Sequence, residues 1–237
     1  MGETLALFSF GPDGWGDELL AGAWLTIQLA LATLPFGLVL GLVVAFAKRS
    51  DRALVRAIGN LLTTVFPGLP ELLTIFIVYF GTQLLVQKFV DLFSDAKVSV
   101  PGFLSGFVAL GIVFAAYSSE VFVGAFRNIR RGQYEAAHAL ALSRGATLLL
   151  VIMPQVIRIA LPGLANLWLI LLKDTSLVSV IAIQDLMRSA YIAVGATKQP
   201  FPFYLAACLI YLVMSIVSSF GISAIERWSE RGVRRPA

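Results

Sequence analysis

Long apolar runs, each closed by a cluster of charge, divide this chain. Residues 19–47 hold no charged side chain before Lys48-Arg49-Ser50-Asp51-Arg52. Residues 61–86 carry only Glu71, residues 98–126 only Glu120, residues 159–183 only the adjacent Lys173 and Asp174, and residues 199–225 none. About 20 apolar residues carry a helix across the hydrocarbon core, so each run is long enough to span it. The pattern predicts five transmembrane helices in an all-α integral membrane fold. No internal repeat, low-complexity tract or linker interrupts it, so residues 1–237 read as one membrane domain with a polar loop over 127–158.

Composition agrees with that reading. The 237 residues are 58% hydrophobic and 14% charged, with a mean hydropathy of +0.86, well beyond what a water-soluble domain needs for its core. A pI near 9.4 raises the question of nucleic acid, but the basic residues stand in short clusters between apolar runs. They form no basic stripe with interleaved aromatics, so no nucleic-acid partner is expected. Their placement orients the chain instead. With the end of the first span inside, 13 of the 18 lysines and arginines fall on the cytoplasmic side: four after the first span, five between the third and fourth, four at the C-terminus. Only Lys88, Lys97, Arg188 and Lys198 fall outside, which predicts an external N-terminus and a cytoplasmic C-terminus. The N-terminal stretch lacks the basic region of a cleaved signal peptide and the pattern of a myristoylation site, so no processing is expected. A single cysteine, Cys208, lies in an apolar run, and a disulfide framework or Cys metal cluster is excluded.

The loop between spans three and four stands out. Gly132 breaks the chain after Arg130-Arg131, and Glu135 is expected in the first turn of a helix, where the dipole favours a carboxylate. Ala136, Ala137, Leu140 and Ala141 give a small-residue face at helical spacing. Ser143 is placed to cap a second short helix that begins near Gly145 and enters the membrane at Pro154. A plain interfacial helix would have the same pattern.

Charge inside the spans is the other candidate chemistry. An acid at bilayer depth costs about 2.5–3.5 kcal/mol on insertion scales, which makes each one a functional candidate. Glu71 follows the Pro67-x-x-Pro70 break. Glu120 follows Tyr117, Ser118 and Ser119, whose hydroxyls are within its expected reach. Lys173 and Asp174, being adjacent, point in different directions on a helix and are expected to pair with other spans. No cluster has metal-ligand spacing, and the single histidine, His138, lies outside the spans and leaves no catalytic Ser/His/Asp set.

The order Glu135-Ala136-Ala137, a small residue at Ala141, nine further residues and the ending Val151-Ile152-Met153-Pro154 resembles the cytoplasmic signature of bacterial ABC importer membrane subunits. Ala141 stands where that family has glycine, Val151 where isoleucine is usual and Met153 where leucine is usual. A glycine would allow a sharp turn, and Gly145 is expected to share that role. TTVFPGLPELLTIFIVYFG (63–81), AAYSSEVFVGAFRNIRRGQYEAA (115–137) and MPQVIRIALPGLANLWLILLKDTSLVSVIAIQDL (153–186) are similar to polar amino acid permeases. Pro70-Glu71-Leu72 and the ending ERWSERGVRR most resemble the Q-type subunits of histidine/lysine/arginine/ornithine and octopine/nopaline importers.

This resemblance implies the type I ABC importer fold and an inner-membrane permease subunit for basic amino acids or opines. Its implied partners are a second permease subunit, expected to be a paralogue, two ATPase subunits and a periplasmic binding protein. It makes the loop the ATPase-coupling element, with Gly132, Glu135, Ala136, Ala137, His138, Ala141 and Gly145 as contacts. It also sets Lys173, Asp174, Thr175 and Ser176, with Glu71 and Glu120, beside a substrate pathway. No G-x-x-x-x-G-K-[ST] occurs, so ATP and magnesium are expected on the partner ATPase, and the chain carries no cofactor and is no enzyme. The competing expectation is a proton-coupled carrier or membrane-embedded enzyme relaying protons through Glu71, Glu120 and Asp174. The polar loop argues against a third, a passive scaffold.

Overall fold

A computed structural model describes residues 6–12, 14–93, 97, 100–181 and 183–229. Arg231, Arg234 and Arg235, used in the charge count, lie outside them. Among the described residues every regular element is helical: α1 (Gly16–Lys48), α2 (Ala53–Gly68), α3 (Glu71–Asp91), α4 (Gly102–Arg127), α5 (Arg131–Ala139), α6 (Met153–Val178), α7 (Leu186–Thr197) and α8 (Pro200–Ser229). A short turn, Arg144–Ala146, and a π-helical turn, Thr147–Ile152, run without a break into α6. Five helices are long and apolar enough to cross a membrane: α1, α3, α4, the run Arg144–Ile181 that contains α6, and α8.

One expected span does not form as a single helix. The run over 61–86 is cut at Leu69-Pro70, between α2 and α3. Proline clashes with the backbone of the residue before it and drives that residue out of the helical region. Leu69 accordingly sits at φ −99°, ψ 150°. The break makes Glu71 the first residue of α3, where unpaired N–H groups favour a carboxylate.

α4 is the central helix, with 67% of its most apolar stretch buried against 6% for α8. Its closest partner is α1, and the reason is small residues on both sides of the seam. A Cβ on Gly41 would come within 2.0 Å of Ser118 Oγ, and one on Gly111 within 2.4 Å of the Phe36 ring. Without a hydrophobic drive between helices in lipid, such close backbone approach supplies the packing. Leu29, Leu110, Phe114, Leu171 and Val178 build the core between α1, α4 and α6.

The sequence reading took 184–198 as a connection; it contains α7. Asp185 caps this helix, its Oδ1 accepting from Arg188 N at 2.9 Å. Leu186, Ala190 and Ala193 bury its inner face against Leu19 and Ala23 of α1 and Phe203 of α8. At 12 residues α7 is too short to span a bilayer, so no hydropathy window marks it.

Candidate functional site

The polar loop folds as a helix, a reversal and a second helix. α5 starts at Arg131, so Gly132 is its second residue and does not break the chain. Glu135 is the fifth, one turn past the end where the dipole acts, and its side chain is exposed. The expected first-turn carboxylate is therefore not formed. Ala137 turns inward and is 2% exposed, while Ala136, His138, Leu140 and Ala141 face out. The expected small-residue face is thus split, with one member packed and the others presented to solvent.

The reversal is a Schellman motif. Leu142 N donates to Ala137 O at 3.1 Å and Ala141 N to His138 O at 2.9 Å, the 6→1 and 5→2 pair that closes a helix C-terminus. This geometry needs a left-handed residue, and Ala141 supplies it at φ +56°. Gly145 does not share the turn as expected: it lies in the helical turn Arg144–Ala146, and among the described glycines only Gly11 has positive φ. Ser143 then caps the next helix, its Oγ accepting from Ala146 N at 3.3 Å. The π-helical turn just before Pro154 widens the backbone where a proline ring would crowd the carbonyl four residues earlier.

Two contacts fix the loop to the membrane helices. Tyr134 packs on the cluster of Phe122, Phe126, Ile129, Ile152 and Val156, and Gln155 Nε2 donates to Gln133 Oε1 at 3.1 Å. Beside them Phe46, Arg49, Phe126, Tyr134, His138 and Arg144 line an open groove of about 720 Å³. The Arg49 guanidinium lies 4.4 Å from the centre of the Phe126 ring.

The intramembrane charges fall into two separate places. Tyr117 OH donates to Glu71 Oε1 at 3.3 Å, and the Asp174 carboxylate is close enough for its charge to act on both. α3, α4 and α6 thus bring Glu71, Tyr117 and Asp174 together, a grouping that spans 103 positions of sequence. Lys173 acts on Asp174 electrostatically but its side chain is exposed. Glu120 belongs elsewhere: it forms an ion pair with Lys48 of α1, and Lys48 Nζ also donates to Thr63 Oγ1 of α2 at 2.9 Å. The three hydroxyls expected to serve Glu120 do not. Ser118 donates to Gly37 and Ala115 carbonyls, Ser119 to the Ala116 carbonyl and Tyr117 to Glu71.

Thr175 also departs from its expected pathway position. It is fully buried, gives its proton to Leu172 O at 2.8 Å and lies against Tyr211 of α8. Ser176 is half-buried. Among the described residues no group of His, Cys, Asp or Glu could hold a metal ion. Sequence reasoning missed Tyr117 as the partner of Glu71 and Lys48 as the partner of Glu120. Neither gives a local signal, the first pair being 46 residues apart and the second 72.

Residues 37–235 match the family model described as "Binding-protein-dependent transport system inner membrane component". The octopine transport system permease protein OccQ of Rhizobium meliloti is 40% identical over 232 residues, 98% of each chain. The arginine ABC transporter permease protein ArtQ of Escherichia coli (strain K12) is 36% identical, covering 92% of this chain and 98% of its own. A crystal structure of an amino acid ABC transporter with histidines superposes with a TM-score of 0.77 at 29% identity, over 90% of this chain and 94% of that one.

Proposed function

From the premise that this chain belongs to the family of inner-membrane components of binding-protein-dependent transport systems, we propose that it passes a cationic amino acid or opine through the bilayer, using Glu71 and Asp174 as its interior contacts. The carrying observation is the acid pair. Two carboxylates share one site with a tyrosine hydroxyl, and Lys173, the base whose charge acts on Asp174, has an exposed side chain. A guanidinium or ammonium group arriving there gains charge-assisted hydrogen bonds that a neutral amino acid cannot make. Relatives named for octopine and arginine transport support this substrate class. The test is uptake by reconstituted transporter: arginine and octopine should compete with each other, and a neutral or acidic amino acid should not compete with either. Equal competition by a neutral amino acid would overturn the charge-based reading.

The working unit in this reading holds a paralogous second permease subunit, two ATPase subunits that bind ATP and magnesium, and a periplasmic binding protein. The N-terminus lies outside and the C-terminus inside, in keeping with the bias of basic residues. α5 and the turn after it form the ATPase-docking surface, with Gly132, Glu135, Ala136, His138 and Leu140 outermost and Ala137 holding the helix to the body of the protein. Leu140, 75% exposed on a polar loop, supplies the apolar anchor such a dock needs. Glu135→Lys should leave insertion and thermal stability unchanged, because the carboxylate is exposed and makes no capping bond. It should lower ATPase co-purification and transport together, by reversing a charge at the interface. Full transport with full ATPase association would remove α5 from the coupling role.

A further inference from the structure

A fully buried carboxylate lies where α7 docks on the bundle, and none of the transport reading above uses it. Asp185 is 0% exposed. Its Oδ1 accepts from Arg188 N at 2.9 Å, but its Oδ2 is buried with no hydrogen-bond partner. The Tyr211 hydroxyl of α8 is also buried; its polar neighbours are the Thr26 and Thr175 hydroxyls, with neither of which it makes a hydrogen bond of good geometry, and the Asp185 charge acts on it.

Counting protons defines what this enclosure lacks. Thr26 Oγ1 gives its only proton to Gly22 O at 3.0 Å and accepts from Leu186 N at 3.3 Å. Thr175 Oγ1 gives its proton to Leu172 O at 2.8 Å. Both threonines therefore offer only lone pairs to their surroundings. Tyr211 has one proton, to be shared among these acceptors and Asp185. The charged side chain that acts on Asp185, Arg188, has its guanidinium 5.6 Å from the centre of the Tyr191 ring. Of these acceptors, the one that no donor reaches is the carboxylate oxygen Asp185 Oδ2.

We propose that Asp185 is a proton-binding site: its carboxyl carries a proton on Oδ2 that supplies the missing donor, and loss of that proton loosens α7 from α1, α6 and α8. Charge without a partner in such an enclosure is disfavoured, whereas the neutral acid both donates and accepts. Burial accordingly pushes the Asp185 carboxyl up to about 6, against the N-cap bonds and the Arg188 charge, which act the other way. The groups that face it are Thr26 from α1, Thr175 from α6, Arg188 from α7 and Tyr211 from α8. Docked α7 holds this proton more tightly than a free segment would. Docking therefore weakens as pH rises from the ordinary carboxylate range through about 6 and levels off above that. In the orientation proposed above, Asp185 follows the external end of α6, so the proton it binds is that of the external compartment.

Full-length protein in nanodiscs tests this directly. Infrared difference spectra should contain the C=O stretch of a protonated carboxyl that disappears as pH rises through about 6 and is absent from Asp185→Asn. In parallel, hydrogen exchange of α7 amides, corrected for intrinsic rates, should become about tenfold faster between about pH 5 and about pH 7.5 in the native protein. Asp185→Asn, whose amide supplies a permanent donor, should be protected at both. Should that variant fail to fold, Tyr211→Phe, which removes a donor from the enclosure, should shift the midpoint of the native band. An unchanged band in Asp185→Asn, or in Tyr211→Phe where it is the variant used, would overturn the proposal. So would α7 protection that follows sodium or potassium concentration and not pH, since a metal cation would then be the missing partner.

Discussion

Two carboxylates near the central helix meet opposite fates. Glu120, on α4, is matched by Lys48 and, through it, by Thr63, so one ion pair joins α1, α2 and α4. Glu71, at the start of α3, meets a tyrosine hydroxyl and the charge of a second acid. A carboxylate whose partner is built into the protein contributes to the fold. One set beside a like charge has no such structural match, which is what the substrate contact proposed above requires. The same contrast separates the α5 loop, with its closed turn and seated tyrosine, from the Glu71–Asp174 site.

The largest effect should come from breaking the matched pair. Glu120→Gln leaves Lys48, whose side chain is 11% exposed, without its counter-charge. Because Glu120 itself is 49% exposed, solvent recovers part of the loss, and a cost of about 2 kcal/mol is expected. Thermal unfolding in detergent would register it, and uptake and ATPase activity should fall together. Replacing both members with apolar residues should restore most of the stability, since no buried charge then stands alone. A double variant as unstable as the single one would mean that Glu120 has a role beyond Lys48.

The unmatched acid should behave in the opposite way. Glu71→Gln removes no built-in cation, so stability should change little or rise slightly as repulsion with Asp174 is relieved. Uptake of arginine or an opine should drop about tenfold, the equivalent of one charge-assisted hydrogen bond. ATP hydrolysis stimulated by the loaded binding protein should drop less. Equal loss of both activities would show that Glu71 supports the machinery without touching substrate, and the contrast with Glu120 would collapse.

How much of this the sequence disclosed follows from the range of each signal. Span positions depend on local composition, and the helix break at Leu69-Pro70 on a local steric rule, so both are readable; the Pro67-x-x-Pro70 pattern marked irregular backbone, though not its division of one span into two. The N-cap at Ser143 is local too, and was read. Partners are not local. Nothing near Glu120 points to Lys48, and the adjacent Ser118 and Ser119 offered a nearer, mistaken answer. The resemblance sets Thr175 beside the pathway together with Asp174 and Ser176, whereas the roughly 100° turn between successive helical residues carries its side chain into the core. α7 had a legible start, Asp185 before an apolar helical stretch, but the search for spans passes over a helix of its length.

The smallest effect tests how completely the α5 loop is satisfied. Its one visible strain is Ala141, a residue with a Cβ held at φ +56° in a position that favours glycine. The left-handed conformation costs a non-glycine residue about 1–2 kcal/mol, partly offset because alanine has less freedom to lose on folding. Ala141→Gly should therefore tighten the turn by about 1 kcal/mol while leaving both closing hydrogen bonds in place. Hydrogen exchange at the Ala141 and Leu142 amides, which close the motif, should slow about fivefold, with thermal stability of the whole protein nearly unchanged. Faster exchange in the glycine variant would mean that the alanine methyl makes a packing contact worth more than the strain, and that this end of the molecule is held by its contacts more than by its turn.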